Sequence, residues 1–252
     1  MGAVFAGAAP DDGRPRRQSV DTGPWKLDIV TTTFFIGQGS SGYNSTTNYA
    51  SAWDKAWTQN YGGMDDPNKR SGYMPTNFAV TLNPFYCALP FNDVAHPELA
   101  KRMPWYKTPK EGERYVSQCK GRWIQIKSRA TGKMAYAQWE DVGPFRTDHV
   151  DYVFGNDRPT IHSCAGLDVS PAVKDYLGLK GLDKCDWRFI EAAAVPDGPW
   201  LKCGELALIM RALKSQGGAN KAPTLKLLVP GGAQRTESTT GVGQKKVASD
   251  KM

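Results

Sequence analysis

Two aspartates frame the part of this chain richest in groups that could do chemistry. Asp141 stands in Asp141-Val142-Gly143-Pro144-Phe145 and Asp168 in Leu167-Asp168-Val169-Ser170-Pro171, with His149 and His162 between them. Cleaving a glycosidic bond needs a carboxylic acid of raised pKa at the leaving oxygen, and an inverting hydrolase needs a second carboxylate to activate water. Asp168 lies between apolar Leu167 and Val169, a setting that withdraws a carboxylate from water. Its plainer role is to satisfy backbone N–H groups at the start of the following helix. Asp141, ahead of Gly-Pro, is on its residues alone a turn acid. His149 follows the Gly-Pro-Phe turn closely enough to support a groove, whereas His162 reads as a loop anchor. A metal site would need a third ligand at suitable spacing, which neither the histidines nor the five separated cysteines supply. No cofactor is expected, because phosphate-loop, nucleophile-elbow and kinase signatures are all missing.

Sugar rings stack on flat aromatic faces, so the eight tryptophans matter. Trp139 and Trp187 fall in strand-like runs and belong to a core. Trp53, Trp57 and Trp105 fall in loops or short helices and are the expected exposed platforms for substrate.

The elements that must position these groups are mostly strands. With 26 Gly, 17 Pro and 27 aromatics (8 Trp, 10 Tyr, 9 Phe), the composition suits a loop-rich β protein. Strands are expected over 26–36, 77–89 (interrupted at Asn83-Pro84), 121–128, 134–140 and 186–194. Thr131-Gly132-Lys133 makes a hairpin turn, and 50–57 makes one or two helical turns that set Trp53 and Trp57 on one face. Ser170 as N-cap, Pro171 at the first helical position and Gly178 as stop define a short helix. Asp65-Asp66 lacks the spacing of a calcium loop and reads as a pair of solvated turn acids. The segment 91–114, with its prolines and charges, reads as a surface excursion.

The formal net charge is +7, but residues 215–252 carry six Lys/Arg against Glu237 and Asp250, and residues 1–24 balance to zero. That leaves the body near neutral, which argues against a nucleic-acid groove. The five cysteines fit either an oxidising compartment with up to two disulfides or a set of isolated buried thiols. No window is apolar for the ~18 residues of a transmembrane helix. Residues 1–24 read as a disordered leader or signal-peptide remnant, 25–200 as the folded domain, 201–214 as a helix or strand extension, and 215–252 as a disordered basic tail. Asn44-Ser45-Thr46 is a glycosylation acceptor pattern.

The order of strand, Asp141-Val142-Gly143-Pro144-Phe145 turn, loop, Leu167-Asp168-Val169-Ser170-Pro171-Ala172, short helix ending at Leu177-Gly178, and a strand with Trp187-Arg188-Phe189 resembles the double-psi β-barrel of rare lipoprotein A-like proteins. Glu140 and Val142 stand where that family has Asn and Arg. Expansins and family-45 glycoside hydrolases are similar in fold. The resemblance covers roughly residues 25–199 and is specific over 139–189. The insertions at 37–76 and 91–114 and the loop 145–165 depart from it.

The resemblance implies a mainly β protein, a six-stranded double-psi barrel, with Asp168 and Asp141 lining a sugar groove. It further implies a secreted, periplasmic or envelope location and a polysaccharide partner such as peptidoglycan or a cellulose-like glycan. Asp168 would then be the general acid of a lytic transglycosylase or glycosidase. The alternatives are a non-catalytic expansin-like or carbohydrate-binding module and a protein-interaction barrel.

Overall fold

The structure, a computed structural model, describes residues 23–41 and 46–203. These all fall within one compact unit. In chain order the elements are β1 (Lys26–Thr33), α1 (Trp57–Tyr61), β2 (Arg70–Ser71), β3 (Met74–Pro75), β4 (Tyr86–Leu89) and α2 (Pro97–Ala100). There follow β5 (Arg122–Ser128), β6 (Met134–Val142), α3 (Val150–Val153), β7 (Ala165–Val169), α4 (Pro171–Leu177) and β8 (Asp183–Ile190).

Six strands close into a barrel in the order β1-β7-β4-β6-β5-β8, as the mainly β, six-stranded expectation required. Two neighbouring pairs run parallel, β1 with β7 and β4 with β6, and the other pairs are antiparallel. Each parallel pair carries one register shift, at Val30/Thr31 and at Cys87/Ala88. The second shift leaves Glu140 as the extra residue, since Cys87 pairs with Trp139 and Ala88 with Asp141. An extra residue of this kind bends a strand and re-aims its side chains.

Alternation along β4 splits the apolar residues between two clusters. Phe85, Cys87 and Leu89 join the barrel interior with Ile124, Trp139, Leu167 and Trp187. Tyr86 and Ala88 face outward into a second cluster with Phe34, Ile36, Trp57 and Tyr61. Phe34, Ile36, Trp57 and Tyr61, with Phe78, Val80 and Leu82 against them, thus pack over the outer face of β4. Trp139 and Trp187 are fully buried, as their strand positions required.

Several expectations shift for physical reasons. The first strand ends at Thr33, and Phe34 and Ile36 turn into the second cluster. Strand β4 is short because the Asn83-Pro84 bend is fastened: Asn83 accepts from the Phe85 N–H and donates to the Trp200 carbonyl. The last strand runs Asp183–Ile190 and gives way to a 3-10 turn at Ala192–Ala194. The 91–114 segment is only partly surface, because Ala100 and Met103 are core residues. The helix expected over 50–57 is a turn in which Ser51 and Asp54 exchange backbone hydrogen bonds, and α1 begins only at Trp57.

Asp65 is a clear correction. It is fully buried, takes the guanidinium of Arg70, and accepts from the Tyr86 hydroxyl at 2.9 Å. The sequence put it in a polar turn, but the second cluster closes over that turn. Among the described residues Cys87, Cys119 and Cys185 are buried thiols and Cys164 is an exposed one, as the isolated-thiol alternative describes. The leader, most of the acceptor pattern, the 204–214 extension and the basic tail lie outside the described residues.

Candidate functional site

Strand register brings the two aspartates into one transverse row. Thr32 pairs with Asp168 across β1 and β7, Asp168 with Ala88 across β7 and β4, and Ala88 with Asp141 across β4 and β6. Directly paired residues share a face of the sheet. Ala88 faces the second cluster, so the row lies on the outer face of the barrel. Asp141 and Asp168 stand two strand spacings apart, roughly 10 Å between their Cα atoms. Ala88 between them is small and buried, and Gly143 lies over it, since a Cβ there would meet both Ala88 and Asp168 Oδ2.

Asp168 is held by Thr32, whose hydroxyl donates to Oδ1. Its other oxygen faces Gly143, where a Cβ would come within 3.5 Å of Oδ2. Gly143 has φ +157, so a side chain there would be strained as well as in contact with the acid. The capping role does not belong to Asp168. Ser170 accepts from the Val173 N–H at 3.3 Å and caps α4, with Pro171 next and Gly178 left-handed at the far end, as expected. Asp168 keeps a partial opening to solvent, although its carboxyl is packed round by protein atoms. Burial, aided by the charge of Asp141 and opposed by the Thr32 hydrogen bond, pushes its pKa up to about 6.

Asp141 is more enclosed, at 8% exposure. It is the penultimate residue of β6, not a turn residue, and the Ala52 N–H donates to its Oδ1 at 2.8 Å. Burial pushes its pKa to about 6 against this hydrogen bond, that of the Val142 N–H, and the charge of Lys120. Beside it, Glu140 reaches about 7 by burial, partly offset by Lys120 and reinforced by Asp54 and Asp141. Lys120 also lies 3.6 Å from Asp54. At pH 6 Asp141 and Asp168 are about half protonated and Glu140 mostly so, where aqueous carboxylic acids of pKa 3.8 to 4.5 would be ionised.

The expected substrate-binding residues fall elsewhere. His149 is buried at the start of α3 against Tyr152, and burial lowers its pKa. The charges acting on it are Arg146, Asp157, Asp148 and Asp151, and neither site aspartate is among them. Trp57 is fully buried against Phe34 and Tyr86, so it offers no platform. Trp53 is half-buried, edge-on to Trp139 at 5.6 Å, with its N–H given to Asn92. Trp105 packs edge-on against Phe154 and Phe189 while the Arg122 guanidinium covers its ring at 4.4 Å. All three tryptophans are taken up by packing because the insertions fold back onto the barrel.

Sequence reasoning missed Glu140, Lys120, Asp54, Thr32 and Phe145. Only Glu140 left a signal: two consecutive acids at the end of a strand whose alternation should hide one of them. Phe145, with φ +60, is 56% exposed and stacks on His162 at 4.2 Å. Among the described residues no group of three or more His, Cys, Asp or Glu could hold a metal ion, and no helix is long and apolar enough to cross a membrane.

No known protein family matches the chain by sequence, and no curated protein does. A solved structure similar to it is a Streptomyces papain inhibitor, at 12% identity and a TM-score of 0.30, over 69% of this chain and 100% of that one.

Proposed function

We propose that this barrel, of the double-psi type, binds a cell-wall polysaccharide and cleaves it with Asp168 as general acid. The observation that carries the reading is Asp168 itself. It is partly open to solvent, it is freed from helix capping by Ser170, and its pKa is raised to about 6. Two parallel strand pairs joined side by side through β7 and β4 are in keeping with the family resemblance. A wall polymer as partner puts the protein outside the cytoplasm, as a secreted or envelope component.

The two acids are unequal, and that bears on the reaction type. Inverting hydrolysis needs a second carboxylate in touch with water. Asp141 is covered by Ala52, which speaks for chemistry run by one acid. In a lytic transglycosylase reaction Asp168 protonates the leaving glycosidic oxygen. A hydroxyl of the same sugar attacks the anomeric carbon, and the Asp168 carboxylate takes up the proton that the hydroxyl releases. The same cover over Asp141 favours, as second reading, an expansin-like module that binds without cleaving.

The test incubates the protein and Asp168→Asn with peptidoglycan and with cellulose, scoring sedimented protein and soluble sugar separately. The proposal expects the protein to bind and release products from one polymer, and the variant to bind without release. Binding without products from either polymer leaves the expansin-like reading, and no binding to either ends both.

A further inference from the structure

We propose that the exposed Phe145–His162 stack is the platform on which this site seats a β-1,4-linked, gluco-configured sugar ring, an inference that rests on the glycan reading above. The tryptophans expected to do this are occupied in packing, as shown. Phe145 is 56% exposed, and its ring lies nearly parallel to His162, at 28° with centroids 4.2 Å apart. One flat face is therefore braced by imidazole.

Position ties this platform to the acid. Phe145 follows Gly143 by two residues, and Gly143 is the residue against the Asp168 carboxylate. Two residues of chain reach at most about 7 Å, a span on the scale of one or two sugar rings. The partner ring comes from the segment that leads into β7, the strand that carries Asp168. The stack thus links the chain leaving β6 to the chain entering β7. Ile161, the residue before His162, is also exposed, at 41%.

The backbone is committed to this arrangement. Phe145, His162, Ser163 and Cys164 all have positive φ, between 48° and 61°. A bulky aromatic residue in that region is unusual, and His162 and Phe145 are both held there. A pyranose with equatorial substituents presents a flat face of axial C–H groups, which complements the negative face of an aromatic ring. Glucose and N-acetylglucosamine units share that face, so cellulose and wall glycan strands are two sources of one chemistry.

The experiment measures affinity for cellohexaose and chitohexaose by calorimetry, with thermal unfolding as a check on the fold. Asn tolerates positive φ better than Phe, so Phe145→Asn removes the ring while easing the backbone. It is expected to weaken binding about tenfold, whereas Phe145→Trp keeps or tightens it and His162→Ala costs about threefold. If the protein binds an oligosaccharide and Phe145→Asn binds it equally well, the platform is overturned and the glycan reading stands. If the protein binds neither oligosaccharide, both are overturned. The oligosaccharide bound more tightly identifies the source.

Discussion

Burial raises the pKa of both Asp141 and Asp168, but the hydrogen bonds that oppose it differ, and that difference can be tested. Asp141 is nearly closed off, and its carboxylate keeps backbone N–H partners. Its folded pKa of about 6 lies above the ordinary 3.8. The folded state therefore holds the proton more tightly, and stability falls as pH rises from about 4 to about 6, then levels off. The loss attributable to this group is of the order of 3 kcal/mol. Asp141→Asn keeps an acceptor for Ala52 and buries no charge. It should be more stable than the natural protein at neutral pH, by about 1 to 3 kcal/mol, and should lose this part of the pH dependence in denaturant titrations. An unchanged pH dependence would mean that Asp141 is already hydrated. For Asp168 the sensitive neighbour is Thr32. Thr32→Val removes a hydrogen bond that favours the carboxylate, so any product release should stay active to higher pH, its falling limb moving upward by a few tenths of a pH unit or more.

At the scale of elements, the helix that follows Asp168 is capped by Ser170, and that hydroxyl does more than cap. It donates to the Pro84 carbonyl at 2.7 Å and is fully buried. Ser170→Ala should cost more than the ~1 kcal/mol of an ordinary cap, since it also strands a buried acceptor on the chain entering β4. Chemical denaturation of the two proteins measures this directly. The second cluster offers a larger effect. Asp65→Ala leaves the Arg70 guanidinium buried without its carboxylate and the Tyr86 hydroxyl without its acceptor, and should destabilise by about 3 to 5 kcal/mol. A loss under about 1 kcal/mol would show that water reaches the pair. Short-range signals explain which elements the sequence revealed. Ser170-Pro171 and Gly178 mark α4 by local chemistry, and alternation marks β5. By contrast, the 50–57 turn, the burial of Asp65 and the short β4 are decided by the outer cluster, whose members lie far apart in the chain.

On the scale of the whole molecule, the barrel brings together what the sequence keeps apart. Thr32, Ala88, Asp141 and Asp168 form one row only because β7 and β4 lie between β1 and β6. Two of the four were legible as chemistry, through motifs at strand ends. Thr32 and Ala88 look like ordinary strand residues, and their roles come from register alone. Glu140 gains its setting from the register shift at Cys87/Ala88, which local sequence does not announce. The tryptophan platforms failed for the opposite reason: loop position suggested exposure, but the insertions carrying Trp53, Trp57 and Trp105 pack back onto the barrel. The central claim is that Asp168 is a proton-holding acid at a ligand site on the outer face. Carboxyl carbon-13 NMR titration of Asp168, with and without wall-glycan fragments, tests it most directly. The predicted result is a midpoint near 6 in the free protein and a clear displacement of that midpoint when the fragment binds. A midpoint near the ordinary 3.8, unmoved by any fragment, would contradict it.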